Sequence, residues 1–330
     1  MTATMEPTAV PSTSPTGTTS RKGKARGPRR PRGQRPAPKP VPRPTAPAGP
    51  PGAGESTASV LSSSFTMIGI VCLWVTVQLL FLSGISQERS QELLYDELRH
   101  DLAGATGPTG PVVPVGDPVA LLTIPSLGVE QVVVEGTASG DLLAGPGHRR
   151  DTVLPGQAGT SVVYGRAATY GAPFADLTDL RAGDKIVVVS GQGRKAYTVA
   201  GVRRAGDPLP QPVAAGAARL TLVTAEGSGR LGALSPDSVV YVDADAKKGY
   251  PAPAGRPAAV PESEQAMARD TSALPLLALL LALLLALTLG VIAARQRWSA
   301  ALVWVVAAPL AIALAWATTD VVMRLLPNLI

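Results

Sequence analysis

The sequence predicts a mainly β exported domain held at a membrane by three apolar helices, one before the domain and two after it. Seven short runs rich in β-branched residues, separated by turn residues, lie between residues 119 and 244. Three long uncharged apolar runs flank this region, and basic clusters stand before the first run and between the last two. Composition therefore changes sharply along the chain, and each part is interpreted separately.

Residues 1–55 are rich in Pro, Ala, Gly, Thr and Arg, with ten Lys or Arg and no acid between Arg21 and Arg43. Such a segment buries too little apolar surface to offset its ordering entropy, which predicts a disordered basic tail. Arg-rich segments bind anionic lipid or nucleic acid through phosphate charge. The tail has no aromatic residue for base stacking, so we expect a cytoplasmic, lipid-facing tail and no nucleic-acid partner.

The first apolar run carries no charge from Ser56 to Gln87, and its strongest part is long enough to cross a bilayer. We predict a transmembrane helix over residues 63–86. A cleaved signal peptide is the alternative, but the run starts far from the N-terminus and has no Ala-x-Ala-like site. Residues 87–118 follow as an amphipathic stalk and a Gly/Pro-rich linker, with a partner-binding helix as the second interpretation of 87–102.

The middle region, residues 119–246, is predicted to be one globular β domain. Its spacing of short strands indicates a closed barrel or a sandwich. A short helix is predicted within 172–180, with Pro173 in its first turn. The predicted strands are 119–124, 131–134, 161–164, 185–189, 196–202, 220–224 and 239–242.

After a second linker at 247–270, two apolar runs at 271–294 and 298–320 predict a helical hairpin. A buried soluble hairpin is the alternative to two membrane spans. Three spans with a cytoplasmic N-terminus place the turn containing Arg295 and Arg297 in the cytoplasm. Both basic clusters then lie on the cytoplasmic side, as basic residues flanking membrane spans usually do. The prediction is thus a multi-pass plasma-membrane protein with a cytoplasmic N-terminus, an extracytoplasmic barrel and the lipid bilayer as a partner.

Residue usage also excludes several kinds of site. Cys72 is the only cysteine and lies in an apolar run, so a disulfide within the chain and a Cys-based metal site are excluded. The chain has two histidines, His100 and His148, and shows no ligand spacing typical of a metal site. No cofactor is expected.

Seven pieces of the middle region stand in a characteristic order. They are residues 122–129 (LTIPSLGV), 133–137 (VVEGT), 144–148 (AGPGH), 154–159 (LPGQAG), 160–177 (TSVVYGRAATYGAPFADL), 180–187 (LRAGDKIV) and 220–224 (LTLVT). Together they resemble the sortases, transpeptidases of Gram-positive cell surfaces, and among them the class E-like sortases of actinobacteria. The abundance of Ala, Arg, Gly and Pro is typical of such GC-rich genomes. The resemblance implies an eight-stranded β-barrel.

Sortases cleave a sorting-signal peptide and transfer its acyl group to an amine, using a cysteine nucleophile, a histidine and an arginine. The resemblance places the cysteine position at Ala225, the histidine position at Arg166 and the arginine position near Ser238. A methyl group cannot attack a carbonyl, and a guanidinium does not release its proton near neutral pH. The resemblance therefore implies a degenerate catalytic set, in which Arg230 is a candidate spatial substitute for the arginine.

The predicted function is that of a pseudoenzyme which binds a surface-protein peptide or an active sortase in cell-surface protein assembly. Candidate groove-binding residues are His148, Tyr170 and Arg230, and Arg166 is either a ligand for an anion or a solvated charge. The alternative is a transpeptidase or hydrolase that uses Thr224 or Ser228, with His148 or Glu226 as base. A purely structural envelope protein is a third hypothesis.

Overall fold

The computed structural model describes residues 69, 73–74, 76–78, 82–227, 236, 238–294 and 296–330. The predicted basic tail, most of the first predicted span, Arg295, Ser228 and Arg230 lie outside these residues. The described chain begins its regular structure with helix α1, Ser83–Gly104. Two further helices, α2 at Leu274–Ala294 and α3 at Ala300–Arg324, close it.

Eight strands between the helices form a closed barrel in the order β1-β2-β3-β4-β7-β8-β6-β5. The pairs β2–β3 and β4–β7 are parallel, and the other six pairs are antiparallel. The mainly β, eight-stranded barrel is thereby confirmed. The strands are β1 Pro118–Ile124, β2 Val129–Glu135, β3 Gly147–His148, β4 Gly159–Tyr164, β5 Lys185–Ser190, β6 Gly193–Arg204, β7 Ala218–Glu226 and β8 Ser238–Ala246.

Alternation along the strands fills the barrel. In β7, Leu220 and Leu222 face inward and pack in the main core, whereas Arg219, Thr221 and Val223 face outward. Closure removes free sheet edges, and the interior is filled by aliphatic side chains with Phe174 and Tyr197. In place of the helix predicted within 172–180, the chain forms a single 3-10 turn at Leu177–Asp179.

Helix α1 packs against β1 and β2. The Gln91 side chain accepts from the Val132 N–H (2.6 Å) and donates to the carbonyls of Val132 and Ala144. Leu98 is buried, while Leu93 is largely exposed. The predicted stalk segment therefore docks along the barrel over part of its length.

The segment 247–270 also follows the barrel surface, although its composition predicted a linker. The Tyr250 N–H donates to the Gly156 carbonyl (2.9 Å), and Glu264 forms an ion pair with Arg150. The Glu264 carbonyl accepts a hydrogen bond from the Thr137 hydroxyl (2.7 Å). These contacts fix the path from the last strand to the helical hairpin.

Helices α2 and α3 pack against each other and carry many exposed Leu, Ile, Val and Trp side chains. In the described part of the chain, two segments are long and apolar enough to cross a membrane, Thr271–Ala294 and Ala301–Arg324, with mean hydropathies of 2.9 and 2.1. The end of α3 reaches the barrel, where the Tyr170 hydroxyl donates to Asp320 Oδ1 (2.8 Å).

Candidate functional site

Three adjacent strands bring together the positions that the sortase resemblance assigns to the catalytic residues. Strands β4 and β7 are parallel neighbours, with Tyr164 opposite Val223, so the residues that follow Tyr164 lie beside Ala225. Strand β8 runs antiparallel to β7, and Ser238 at its start pairs with Glu226. Arg166, Ala225 and Ser238 therefore lie at the same end of the β4–β7–β8 sheet.

Arg166 is fully buried, with 0% of its surface exposed. Its five N–H groups all have acceptors, which accounts for the complete donor set of a guanidinium. Nε donates to the Leu142 carbonyl (3.2 Å), Nη1 to Thr169 Oγ1 (3.0 Å) and the Ile330 carbonyl (2.8 Å), and Nη2 to the carbonyl and hydroxyl of Ser139 (2.8 and 2.9 Å). The side chain is not the solvated charge considered from sequence, because loops and a distant segment enclose it.

The acceptors around Arg166 are main-chain and hydroxyl oxygens, and the Tyr170 ring lies 5.5 Å from the guanidinium carbon. Burial lowers the pKa of Arg166 to about 10, and the interaction with Tyr170 opposes this shift. The group therefore keeps its proton at neutral pH. It cannot accept and return a proton as a catalytic histidine does.

Ala225 faces the same side of β7 as Val223 and is almost completely covered. It belongs to a small apolar cluster, which we call the closed end of the site. A methyl group here supplies packing and no nucleophile. The buried members of the closed end are Leu142, Tyr164, Ala167, Val223, Ala225 and Leu329.

The outer face of the same strands continues into an open pocket of about 570 Å³, which we call the groove. Tyr164 and Val223 border both the groove and the closed end. The groove is also lined by Arg203, Leu209, Arg219, Thr221, Tyr241 and Asp243.

Charged side chains in the groove are paired. Asp243 accepts from Arg203 Nε (2.7 Å) and from the Thr221 hydroxyl (2.6 Å), while Arg219 binds Asp245 through two N–H groups. Sequence reasoning missed this set as groove residues. The alternation of polar and apolar residues in β7 and β8 was the signal that could have indicated it.

A family model for the sortase domain matches residues 122–245. This segment is a sortase domain. No curated protein matches the chain.

Solved structures that resemble the chain are sortases too. Sortase E from Streptomyces avermitilis is 31% identical over 41% of this chain and 91% of its own, with a TM-score of 0.33. The sortase D5 transpeptidase of Clostridium perfringens is 19% identical over 48% and 96%, with a TM-score of 0.38. Sortase C of Clostridium perfringens, solved with the C-terminal cell wall sorting motif, is 19% identical over 48% and 87%, with a TM-score of 0.36.

Within the sortase domain, His148 lies in an interior network and is not among the residues that line the groove. Its Nδ1 lies 2.7 Å from Glu135 Oε2, and its Nε2 lies 2.8 Å from the Val153 carbonyl. Only 1% of the residue is exposed. The position of His148 accordingly fits a structural role at β3.

Tyr170, the second predicted groove residue, is buried between the domain and the helices. It adopts a left-handed backbone conformation with φ of 50°. Burial raises the pKa of its hydroxyl, and the nearby Asp320 carboxylate raises it further. Its ring approaches Arg166, and its hydroxyl holds Asp320 of α3. Tyr170 thus links the site to the helical hairpin.

The alternative nucleophile Thr224 has the opposite parity to Ala225 in β7. It is 2% exposed, and its hydroxyl donates to the Gly165 carbonyl (3.1 Å). Glu226, the base proposed beside it, is paired with Arg204 (2.6 Å), and this hydrogen bond lowers the pKa of Glu226. The structure does not bring Thr224, His148 and Glu226 together as a hydrogen-bonded set in the described part of the domain.

Proposed function

We propose that this protein is a membrane-anchored sortase-domain pseudoenzyme that holds a peptide of a surface protein in its groove without cleaving it. The main support for this proposal is that Arg166 and Ala225, at the positions of the sortase histidine and cysteine, lie side by side at one end of the sheet. A sortase reaction needs a thiolate to form the acyl intermediate and a group to move the proton. A methyl and a buried, fully bonded guanidinium supply neither.

The geometry of Thr224 supports this proposal over the alternative with changed chemistry. A hydroxyl nucleophile needs a neighbouring base and room for a substrate carbonyl. The Thr224 hydroxyl is directed at a main-chain carbonyl and is shielded from solvent. A peptide lying along the outer face of β7 would meet Val223 and Ala225 rather than Thr224.

The groove supports an extended peptide as the ligand. Sortases bind the sorting-motif peptides of surface proteins, and the Clostridium perfringens sortase C was solved with such a motif. Here the groove combines exposed Leu209 with the paired charges of Arg219 and Asp243, which suits a peptide of mixed character. An active sortase that presents such a peptide is the second partner we include.

We further propose that the protein is multi-pass, with the N-terminus in the cytoplasm and the sortase domain outside the cell. The two apolar segments of α2 and α3 support an anchor at the C-terminal side of the domain. Arg297 lies in the turn between them, as expected for a cytoplasmic turn. The exposed apolar surface of both helices would then face lipid.

The test uses the full chain in lipid nanodiscs, a fluorescent peptide containing Leu-Pro-x-Thr-Gly and an amine acceptor. We expect saturable binding and no cleaved or transferred product. Leu209→Ala should weaken binding, because this side chain is 80% exposed in the groove. Leu93→Ala, on the exposed side of α1, is the matched control and should leave binding unchanged.

The two possible failures of this test are distinct. Turnover that disappears in Thr224→Val would establish the alternative enzyme and reject the pseudoenzyme. Absence of binding to both the peptide and a purified active sortase would reject the peptide-holding role and leave the structural hypothesis.

A further inference from the structure

Residues 325–330, which we call the latch, leave the end of α3 and turn back onto the closed end of the site. Asn328 and Leu329 are fully buried, and Ile330 is 7% exposed. Two turn hydrogen bonds after α3, from Leu325 and Leu326, redirect the chain toward the barrel. The latch therefore occupies a defined place on the domain.

The main chain of the latch is bound by the loop that follows β4. The Ile330 carbonyl accepts from Arg166 Nη1 (2.8 Å) and from the Thr169 hydroxyl (2.6 Å). The Leu329 carbonyl accepts from the Ala167 N–H (2.9 Å). Two consecutive carbonyls are thus held by three donors, one of which is the residue at the sortase histidine position.

A second set of contacts holds the beginning of the latch. The Asn328 amide donates to the carbonyls of Thr137 and Gln265, each at 2.8 Å, and the Asn328 N–H donates to Ala268. The Ser139 hydroxyl, itself an acceptor for Arg166, donates to the Met323 carbonyl (3.2 Å). Loops from both sides of the site therefore grip the segment.

The Leu329 side chain belongs to the same buried apolar cluster as Ala225. It packs in the closed end with Tyr164 and Val223, which also border the groove. Small residues make this contact possible, because Ala167 and Ala225 leave room for a leucine beside the sheet. The latch consequently covers the part of the sheet that continues the groove.

We infer that the sortase histidine position has become a binding site for the chain's own latch, so that Arg166 binds its main chain and Leu329 closes the site over Ala225. On the proposed function, on which this last step rests, a peptide in the groove reaches the Ala225 end only when the latch is released. Release would leave an Arg166 N–H, the Thr169 hydroxyl and the Ala167 N–H to be hydrated. Water can replace these partners, which lowers the free-energy cost of releasing the latch.

The test measures exposure of the latch without any peptide. In a full chain carrying Cys72→Ser and Ile330→Cys, a membrane-impermeant maleimide should label the new thiol slowly. Val112→Cys, at a position 76% exposed, sets the rate for an open site. Arg166→Gln should raise the labelling rate about tenfold or more. In this variant the closed latch lacks the hydrogen bond from a charged donor, so the latch opens more often.

Two further variants keep the result decisive. Thr169→Val removes one donor to the Ile330 carbonyl while keeping the side-chain shape, and it should raise labelling even where Arg166→Gln fails to fold. Arg181→Gln, on an exposed arginine before β5, is the matched control and should leave the rate unchanged. Parent labelling as fast as at Val112→Cys, or no increase in folded Arg166→Gln and Thr169→Val, would overturn the inference.

A saturating sorting-motif peptide is then added to the same labelling reaction. If peptide and latch compete, labelling of Ile330→Cys increases. A peptide that binds without changing the rate would contradict the coupling to the groove. Failure of the peptide to bind would reject the proposed function, while the Arg166 and Thr169 comparison would still decide whether the latch exists.

Discussion

The two ends of one sheet face differ in what covers them. At the groove, Arg219, Thr221 and Asp243 point outward. Arg219 pairs with Asp245, and the Thr221 hydroxyl donates to Asp243. At the closed end, Ala225 and its apolar neighbours lie beneath Leu329. The same two strands therefore pass from a polar open surface to an apolar surface buried by a remote segment. The change occurs at Val223, which lies between Thr221 in the groove and Ala225 in the closed end.

This difference is what we expect if the catalytic positions no longer serve chemistry, as proposed above. A thiol and an imidazole at a working site must stay accessible to substrate. Ala225 and Arg166, whose guanidinium donates five hydrogen bonds, do not need to be accessible, so other side chains can pack against them. The groove keeps its outward polar residues, and the closed end has become part of the interior.

The largest expected effect comes from placing a charge at each end in turn. Leu329→Asp would bury a carboxylate beside Ala225, so we expect the full chain to lose about 3 kcal/mol of unfolding free energy or to release the latch. Leu209→Asp at the groove should change it by less than about 0.5 kcal/mol, because that side chain is exposed. Denaturation of both variants in detergent measures the difference, and equal losses would refute the contrast.

An intermediate effect is expected within the groove. Asp243→Ala leaves Arg203 and the Thr221 hydroxyl without their carboxylate, and we expect a loss of about 1–3 kcal/mol. Asp245→Ala, two residues along β8, removes a carboxylate that is 45% exposed and should cost no more than about 1 kcal/mol. Thermal unfolding of the two variants ranks them, and a costlier Asp245→Ala would show that the groove network is arranged differently.

The smallest expected effect is a pH dependence beside the closed end. Burial raises the pKa of Asp141 from 3.8 to about 6. The hydrogen bond from the Ala138 N–H and the charge of Arg150 lower this pKa, whereas Glu264 and Asp270 raise it. A carboxyl with a raised folded pKa stabilises the fold below its unfolded pKa, and this contribution is lost as the pH rises through about 6. Asp141→Asn should therefore gain stability relative to the parent between pH 4 and pH 7, by about 1–2 kcal/mol.

Parallel urea titrations of the parent and Asp141→Asn at several pH values measure that difference. Because other titrating groups are common to both proteins, subtraction isolates Asp141. A difference that stays constant over this range, or that falls as the pH rises, would contradict the assigned direction.

Seven of the eight strands could be predicted from runs of β-branched residues. The pattern failed at β3, because Gly147–His148 is too short to show any alternation. It also shortened β7 and β8, whose ends carry the charged residues Arg219, Glu226 and Asp245. Closure with eight strands came from the resemblance to sortases, since spacing alone allowed a sandwich.

The candidate site was predictable where adjacent strands determine it and not where remote segments do. Resemblance placed Ala225 on β7, Ser238 on β8 and Arg166 just after β4, and the barrel brings these three strands together. Burial of Arg166 depends on an acceptor 164 residues away, which no local pattern encodes. His148 was considered for the groove because its loop precedes β4, but its partner Glu135 lies on β2 within the interior.

The separation between Arg166 and Ile330 has a consequence for how the protein is made. Ribosomes add about 5–20 residues per second, so the arginine is synthesised roughly 10–30 seconds before its last acceptor. In the topology proposed above, the barrel can form its strands outside the cell in that interval, with a hydrated guanidinium at an open end. The Arg166 site is then completed only after α3 and the latch have been made, so newly made molecules would pass through a state in which the sheet is accessible as far as Ala225.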